Sequence, residues 1–483
     1  MNKDNVFKRL ASKIGTSFSN FAKSFTKGLI KGDVWTKGSY LVMGLGHMAR
    51  GQVIRGLFYL CIEVFFILYL VFFGGAYLHL FFYGFFNHGT VGITETHDYW
   101  NEDLGVYDKI TGDNSFKIIL YGILTIFIII FFLLLYKNSV KESYLLEEKK
   151  KNNKPIIKIK EDLAGFADSK FHITLLSLPM LGLFVFTFIP LVTMIIIAFT
   201  NYDASTEVPQ HLFSWVGLKN FADIFGGDST LSATFLRVLG WTLVWAFFAT
   251  FSNYFGGMIL AMLINRKGIK FKKVFRTIFV MTIAVPQFVS LMIMSKMLTA
   301  GDSLEMSGII TQFFSKAFNF NLKFGINITQ TRVAIILVNM WIGIPYTMLI
   351  CSGILMNIPA DLYESARIDG AGPITQFFKI TLPYMMFVTG PYLITQFVGN
   401  INNFNVIYLL SGGGPGDLLK YTEGAKGTDL LITWLYKLSL GVDRNYKLAS
   451  VIGILVFIIS ATLSLLVYNR SASVKKEDEF QNG

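Results

Sequence analysis

Eight apolar runs organise this sequence, at 56–80, 118–136, 173–199, 239–264, 277–299, 333–356, 383–410 and 447–469. A hydrocarbon core of about 30 Å is crossed by about 20 apolar residues in a helix. Each run therefore predicts one membrane-spanning helix, and the chain reads as an all-α polytopic protein with eight spans. The seventh run is the least apolar, because Gln396, Asn400, Asn402 and Asn403 crowd its second half. Ahead of the first run, Phe7, Leu10, Ile14, Phe18, Phe21, Phe25 and Leu29 recur every three or four residues, with Lys8, Lys13, Lys23 and Lys27 between them. That spacing is one face of a helix. It predicts an amphipathic arm lying on the cytoplasmic leaflet or packed on the protein's own loops. The arm has neither the compact apolar stretch nor the cleavage site of a signal peptide.

Charge orients these runs. Residues 1–55 carry ten Lys/Arg against Asp4 and Asp33, whereas 87–116 carry six acids and only Lys109. The 137–172 segment has nine Lys, 201–231 has four acids and Lys219, and 265–276 holds six basic residues and no acid. Basic loops stay on the cytoplasmic side, which places both termini, 137–172, 265–276 and 357–382 inside. The organisation expected is a basic arm over 1–55, a two-span hairpin over 56–136 with an extracellular loop at 87–116, and a charged linker over 137–172. A six-span core over 173–470 with a cytoplasmic coupling segment at 357–382 follows, then a tail over 471–483.

Composition narrows the function. The 483 residues are 53% hydrophobic and 15% charged, against about 25% charged in soluble domains. A soluble enzyme and a disordered scaffold are excluded. The net charge of +12 is explained by cationic loops facing cytoplasm and anionic lipid, without nucleic acid. Cys61 and Cys351 lie inside apolar runs, and His47, His79, His88, His97, His172 and His211 show no metal-binding spacing. No metal site is expected. The run Gly412-Gly413-Gly414-Pro415-Gly416 lacks the Lys-Ser/Thr of a phosphate loop and reads as an outward turn closing the seventh run.

Between the sixth and seventh runs, Pro359 suits a helix start and Asp361 and Glu364 suit its positive end. Gly370 and Gly372 permit a sharp stop, and Pro373 suits the first turn of another helix. A short helix with small residues on one side seats in a partner's groove, although the pattern alone is equally an interfacial loop. The residues Glu364-Ser365-Ala366-Arg367-Ile368-Asp369-Gly370-Ala371-Gly372, with Ile380 and Pro383 downstream, resemble the EAA motif of ABC-importer permeases. Ser365 is a small-for-small departure from it.

Residues 173 to about 470 resemble the carbohydrate branch of that family, in its MalF-like form. The resemblance is carried by Asn201-Tyr202, by Val216 to Phe221, and by Trp341-Ile342-Gly343-Ile344-Pro345-Tyr346 through Asn403-Phe404 to the glycine run. It implies half of a translocation pathway for an oligosaccharide, most readily maltose or maltodextrin, with no catalysis in this chain. It also implies a MalG-like second permease subunit, a MalK-like ATPase dimer that binds ATP and Mg, and an extracellular sugar-binding lipoprotein. Glu364, Ser365, Ala366, Asp369, Gly370, Ala371 and Gly372 would then form the coupling helix. Members from double-membraned bacteria carry a large domain after the third span, where this chain has only residues 201–231.

Sugar hydroxyls call for uncharged polar side chains, and polar groups at membrane depth usually line a cavity. Gln396, Asn400 and Asn403 share one helical face, as do Asn339, Ile342, Gly343 and Tyr346. Spacing alone also allows these groups to hold helices together. The resemblance assigns all seven to substrate contact, with Gln396 in place of a small hydroxyl residue and Gly399 in place of an aromatic. Glu63, a few residues from Arg55, reads as a snorkelled or paired side chain. With no acid at the middle of a span, an ion-coupled secondary carrier is the weaker alternative. A membrane glycosyltransferase is weaker still, because no loop holds clustered acids.

Overall fold

The computed structural model describes residues 27–468 except 103–104, 157–160, 162–163, 166, 209, 227–229, 267 and 442–443. The expected amphipathic arm, up to residue 26, and the tail at 471–483 lie outside the described residues. Contacts divide the chain into two units, Met1–Val216 and Gly217–Gly483.

The first unit begins with two short helices, α1 (Val34–Gly38) and α2 (Leu45–Met48). Three long apolar helices follow, α3 (Val53–Phe86), α4 (Ser115–Lys151) and α5 (Phe171–Ile197). Their outer faces keep large apolar side chains exposed, with Phe72 at 79% and Phe186 at 81%. Water would penalise such faces and lipid does not. Phe81, Val91, Ile118, Ile119, Ile123 and Phe213 form the apolar centre of this unit. The α4 helix runs fifteen residues past the expected second span, through a stretch rich in Lys, Glu and Leu that favours helix.

That extension is where α1 and α2 dock. Arg50 is buried and donates to Asp33 Oδ1 and Thr36 Oγ1 at 2.7 Å each and to the Gly46 carbonyl at 2.9 Å. Glu147 of α4, also buried, accepts from Thr36 Oγ1 at 2.7 Å and the Asp33 amide at 3.0 Å. For both carboxylates burial opposes ionisation. At Asp33 the Thr36 and Arg50 donors outweigh it, and at Glu147 the Lys151, Asp33 and Thr36 donors do, so both pKa values fall below the usual range.

The structure is mostly helical, with one exception among the described residues. Between α3 and α4, β1 (His97–Asn101) and β2 (Val106–Ile110) pair antiparallel. Trp100 faces Tyr107 across the ladder with ring centroids 5.0 Å apart. Cross-strand aromatic pairs of this kind stabilise a hairpin that Asp and Asn otherwise disfavour.

The second unit opens with α6 (Lys219–Phe225) and α7 (Thr230–Asn265). Next come α8 (Lys272–Ala284), α9 (Gln287–Leu298) and α10 (Ile309–Phe318). It continues with α11 (Ile328–Leu355), α12 (Ala360–Ile368) and α13 (Pro373–Gln376). The last four are α14 (Leu382–Ile401), α15 (Phe404–Leu410), α16 (Leu431–Leu440) and α17 (Tyr446–Tyr468). The long helices α7 and α11 pack along each other, and α14 packs on α7. Small residues permit the approach, since Gly257 of α7 lies against Thr347 and Met348 of α11.

Among the described residues six helices are long and apolar enough to cross a membrane, or seven if α8 and α9 count as one bent span. The expected fifth span is this bent pair, with an 88° angle between its halves. Pro286 causes the break: it has no amide to donate, and it holds Val285 in the extended region at ψ 124°. The expected seventh span is likewise two helices, α14 and α15, separated at Asn402–Asn403. Helix α14 has the length of a span but Pro383, Pro391, Gln396 and Asn400 dilute its apolarity. The count of eight therefore goes beyond what the helices themselves meet.

Candidate functional site

Helices α7, α11 and α14 enclose a polar cavity of about 60 Å³. Helix α7 contributes Ala249, Thr250, Asn253 and Tyr254, α11 contributes Gly343, Tyr346 and Thr347, and α14 contributes Tyr392, Leu393 and Gln396. None of these carries a formal charge, so the lining offers amide and hydroxyl groups that donate and accept. Gly343 fits against the Asn253 side chain, with no room for a Cβ between them. Its carbonyl accepts from Thr347 Oγ1 at 3.0 Å. Tyr346, one of the lining residues, is half exposed.

Asn400 adjoins this cavity through Thr250, to whose hydroxyl its Nδ2 donates at 3.0 Å. Its backbone carbonyl accepts from Trp245 Nε1 at 3.1 Å, and its Oδ1 accepts from Asn403 Nδ2 at 3.2 Å. Asn403 in turn caps α15, its Oδ1 accepting from the Val406 amide at 3.3 Å. A side-chain acceptor at that position satisfies an otherwise orphaned helix amide. Buried Asn339 keeps an amide nitrogen without a hydrogen-bond partner among the described residues, and so does the Asn253 carbonyl oxygen. Leaving such groups unpaired costs about 1–3 kcal/mol each, and of the two only Asn253 lines the cavity.

The structure thus gathers Gly343, Tyr346 and Gln396 on one cavity, with Asn400 one hydrogen bond away. Ile342 instead packs against the apolar cluster of Trp245, Ile335, Val338 and Ile407, and neither Asn339 nor Asn403 lines the cavity. Thr250, Asn253, Tyr254 and Tyr392 join it, and sequence reasoning missed them. The available signal was Asn253, an amide deep inside the fourth apolar run. A larger cavity of about 470 Å³ lies between α9, α10 and α11, lined by Leu298, Phe314, Phe320, Leu337 and Trp341 among others. Its walls are almost wholly apolar, so it offers little to a hydroxyl-rich ligand.

A second feature is the segment that joins α11 to α14. Pro359 starts α12 and Asp361 lies in its first turn, near the positive end of the helix dipole. The Gly370 amide donates to the Arg367 carbonyl at 3.0 Å and the Ala371 amide to the Ala366 carbonyl at 2.8 Å. This is the Schellman arrangement, which needs a left-handed residue at the stop, and Gly370 supplies it at φ 78°. Pro373 opens α13, and the helix continues through a wide-turn stretch at Phe377–Thr381 into α14. A hydrogen bond of 2.9 Å between Tyr363 and Thr381 hydroxyls ties α12 to that helix. None of the α12 residues is buried, and Ile368 is 87% exposed. The helix is held firmly from behind and bare in front.

Glu63 accepts from the Met43 amide at 2.7 Å, so its carboxylate is engaged with the chain that precedes α3.

Residues 253–473 match the family described as binding-protein-dependent transport system inner membrane component. The galactooligosaccharides transport system permease protein GanP of Bacillus subtilis is 34% identical over 439 residues, which is 90% of this chain and 97% of that protein. The chain belongs to this family of transport permeases. The maltodextrin transport system permease protein MalC of Streptococcus pneumoniae is 31% identical over 443 residues, 91% of this chain and 96% of that one. Escherichia coli MalF, the maltose/maltodextrin transport system permease protein, is 36% identical over 252 residues, 52% of this chain and 48% of MalF. A solved alginate-importing ABC transporter aligns with a TM-score of 0.49 at 19% identity, over 64% of this chain and 97% of that chain. The matched family region of this permease takes in α12 and every cavity residue from Asn253 onward. The relatives are named as permease subunits, and the chain is a multi-pass membrane protein of that family.

Proposed function

We propose that this permease forms half of the translocation pathway of an ATP-driven oligosaccharide importer, with maltodextrin as the best-supported substrate. The observation that carries the reading is the uncharged lining of Thr250, Asn253, Tyr346, Thr347, Tyr392 and Gln396 within the helix bundle. An ionic substrate would require compensating charge there, whereas neutral hydroxyls require amides, hydroxyls and aromatic faces. The names of relatives that cover nearly the whole chain, for galactooligosaccharide and maltodextrin, support the same class.

A cavity of about 60 Å³ holds about two waters and is far below the 300 Å³ or more of an ordinary ligand pocket. The sugar therefore lies across the mouth at Tyr346, and a MalG-like second permease subunit supplies the facing wall. Both termini and α12 face the cytoplasm, in keeping with the basic loops. A MalK-like ATPase pair, binding ATP and Mg, seats the bare face of α12 and its neighbours Glu364 to Gly372. Closure of that pair swings α12, and through Tyr363 and Thr381 it swings α14 with its cavity residue Gln396, as rigid elements. An extracellular sugar-binding protein delivers the substrate.

The test is uptake of labelled maltotriose by cells carrying the whole transporter, with competition by maltodextrins, galactooligosaccharides and charged uronate oligomers. Competition by maltodextrins alone supports the assignment. Preferential competition by galactooligosaccharides would redirect it to that substrate, and competition by uronates would defeat the neutral-sugar reading.

A further inference from the structure

The two most exposed large apolar side chains among the described residues are neighbours, Leu418 and Leu419, each 97% exposed. They lie in the segment between α15 and α16, which the charge pattern places outside the membrane. Exposed apolar side chains on lipid-facing helices need no special account, but on a water-facing loop they mark a contact surface.

This loop is held rigid from behind. The amides of Lys420 and Tyr421 donate to the Asp417 carbonyl at 3.0 and 2.9 Å, making one tight turn. The Asp417 side chain accepts from the Leu419 amide at 3.2 Å and pairs with Lys420 Nζ at 3.1 Å. Tyr421 is buried on the inner side of the turn. Arg237 of α7 donates to the Lys420 carbonyl at 2.6 Å, and the Thr422 amide donates to Thr234 Oγ1 at 3.2 Å. Further along, Trp434 Nε1 donates to the Glu423 carbonyl at 2.8 Å and Arg332 to the Gly427 carbonyl at 2.7 Å. A turn fastened in this way presents its leucines with little ordering left to lose on contact.

We propose that Leu418 and Leu419 are the apolar centre of the surface on which the sugar-loaded binding protein docks. The inference rests on the orientation and partner set proposed above. Three observations select that occupant. Around the pair lie Gly416, Lys420, Glu423, Gly424 and Lys426, all exposed, and an apolar centre inside a charged rim is the anatomy of a protein contact. A loop that dips into lipid would instead be ringed by aromatic and apolar residues. The family to which the chain belongs is defined by dependence on a binding protein. Finally, the segment at 201–231 has only 31 residues, too few to fold as a separate domain.

The experiment uses the assembled transporter in proteoliposomes, with ATPase activity followed against the concentration of the maltotriose-loaded binding protein of the same system. Leu418→Asp/Leu419→Asp is expected to raise the half-stimulating concentration about tenfold or more and to leave basal ATPase activity unchanged. Because both side chains touch solvent only, the variant keeps its fold. A photoreactive residue at 418 is expected to cross-link the binding protein on intact cells. Equal stimulation of variant and parent, or cross-linking to phospholipid, overturns the docking surface while leaving the transport reading intact. A parent complex that no loaded binding protein stimulates overturns that reading and the docking surface with it.

Discussion

Gly343 on α11 packs so closely on Asn253 of α7 that a Cβ at the glycine would overlap the asparagine amide. The contact sets the helix spacing at the cavity, and the Asn253 side-chain oxygen has no hydrogen-bond partner among the described residues. Gly343→Ala pushes the amide into a space of only about 60 Å³. Because the displaced group is the end of a side chain, assembly is expected to survive. The apparent KM for sugar is expected to rise about tenfold, the scale of one lost hydrogen bond to a bound ligand. Uptake kinetics against surface expression check it, and unchanged kinetics would remove this cavity from the substrate path.

Tyr346 and Asn400 separate stacking from hydrogen bonding. Tyr346→Ala removes a half-exposed ring at the cavity mouth, and uptake or sugar-stimulated ATPase activity is expected to fall about tenfold with assembly intact. Tyr346→Phe is expected to restore most of it if the ring face is what the sugar meets. Asn400→Ala breaks the 3.0 Å bond to Thr250 and the 3.2 Å bond from Asn403. Its loss of transport is expected to come with some loss of thermal stability. Parent-like affinity and rate in both variants would leave the amides as helix-packing groups only.

At α12 the prediction concerns coupling. Valine at position 370 must take φ 78°, which costs a β-branched residue about 1–3 kcal/mol or more. Gly370→Val unwinds the end of the helix, and Glu364→Lys reverses charge on its bare face. Both variants are expected to insert normally, lose the ATPase from purified membranes and abolish uptake. Co-purification of the ATPase is the measurement, and full retention with normal uptake would contradict the role given to this helix.

The N-terminal docking network carries a pH dependence. Asp33 and Glu147 both ionise below their usual range because of the donors around them. Their contribution to stability is present above the unfolded value near pH 4 and is lost as pH falls through the lower folded values. Hydrogen exchange at the Asp33 and Thr36 amides, corrected for intrinsic rate, is expected to stay slow at pH 7 and to accelerate below about pH 4. Arg50→Ala removes the cation that pairs with Asp33 while Glu147 keeps Lys151, and is expected to cost about 1–3 kcal/mol locally, giving faster exchange already at pH 7.

What the sequence disclosed follows from what each feature depends on. Apolar runs and the stop at Gly370 depend on composition and local dihedral needs, so the long helices and the bounds of α12 were readable. The 88° bend at Pro286 was not, because a hydropathy run is blind to direction even where its proline is visible. The hairpin at 97–110 depends on Trp100 meeting Tyr107 across the ladder, a pairing that strand propensity of Asp and Asn conceals. At the cavity, one helical face of α11 or α14 could be read by spacing. Whether Asn339 or Gln396 turned inward depended on α7, whose Thr250 and Asn253 supply a third wall that no spacing rule within a single helix reveals.

In the function proposed above, a separate ATPase drives this permease through α12. The direct measurement is maltotriose accumulation in proteoliposomes holding the complete transporter and binding protein, with nucleotide supplied or withheld and ion gradients clamped. Accumulation is predicted only with hydrolysable ATP, and Gly370→Val is predicted to abolish it. Accumulation that follows an imposed ion gradient without nucleotide, or that survives Gly370→Val, would contradict the account.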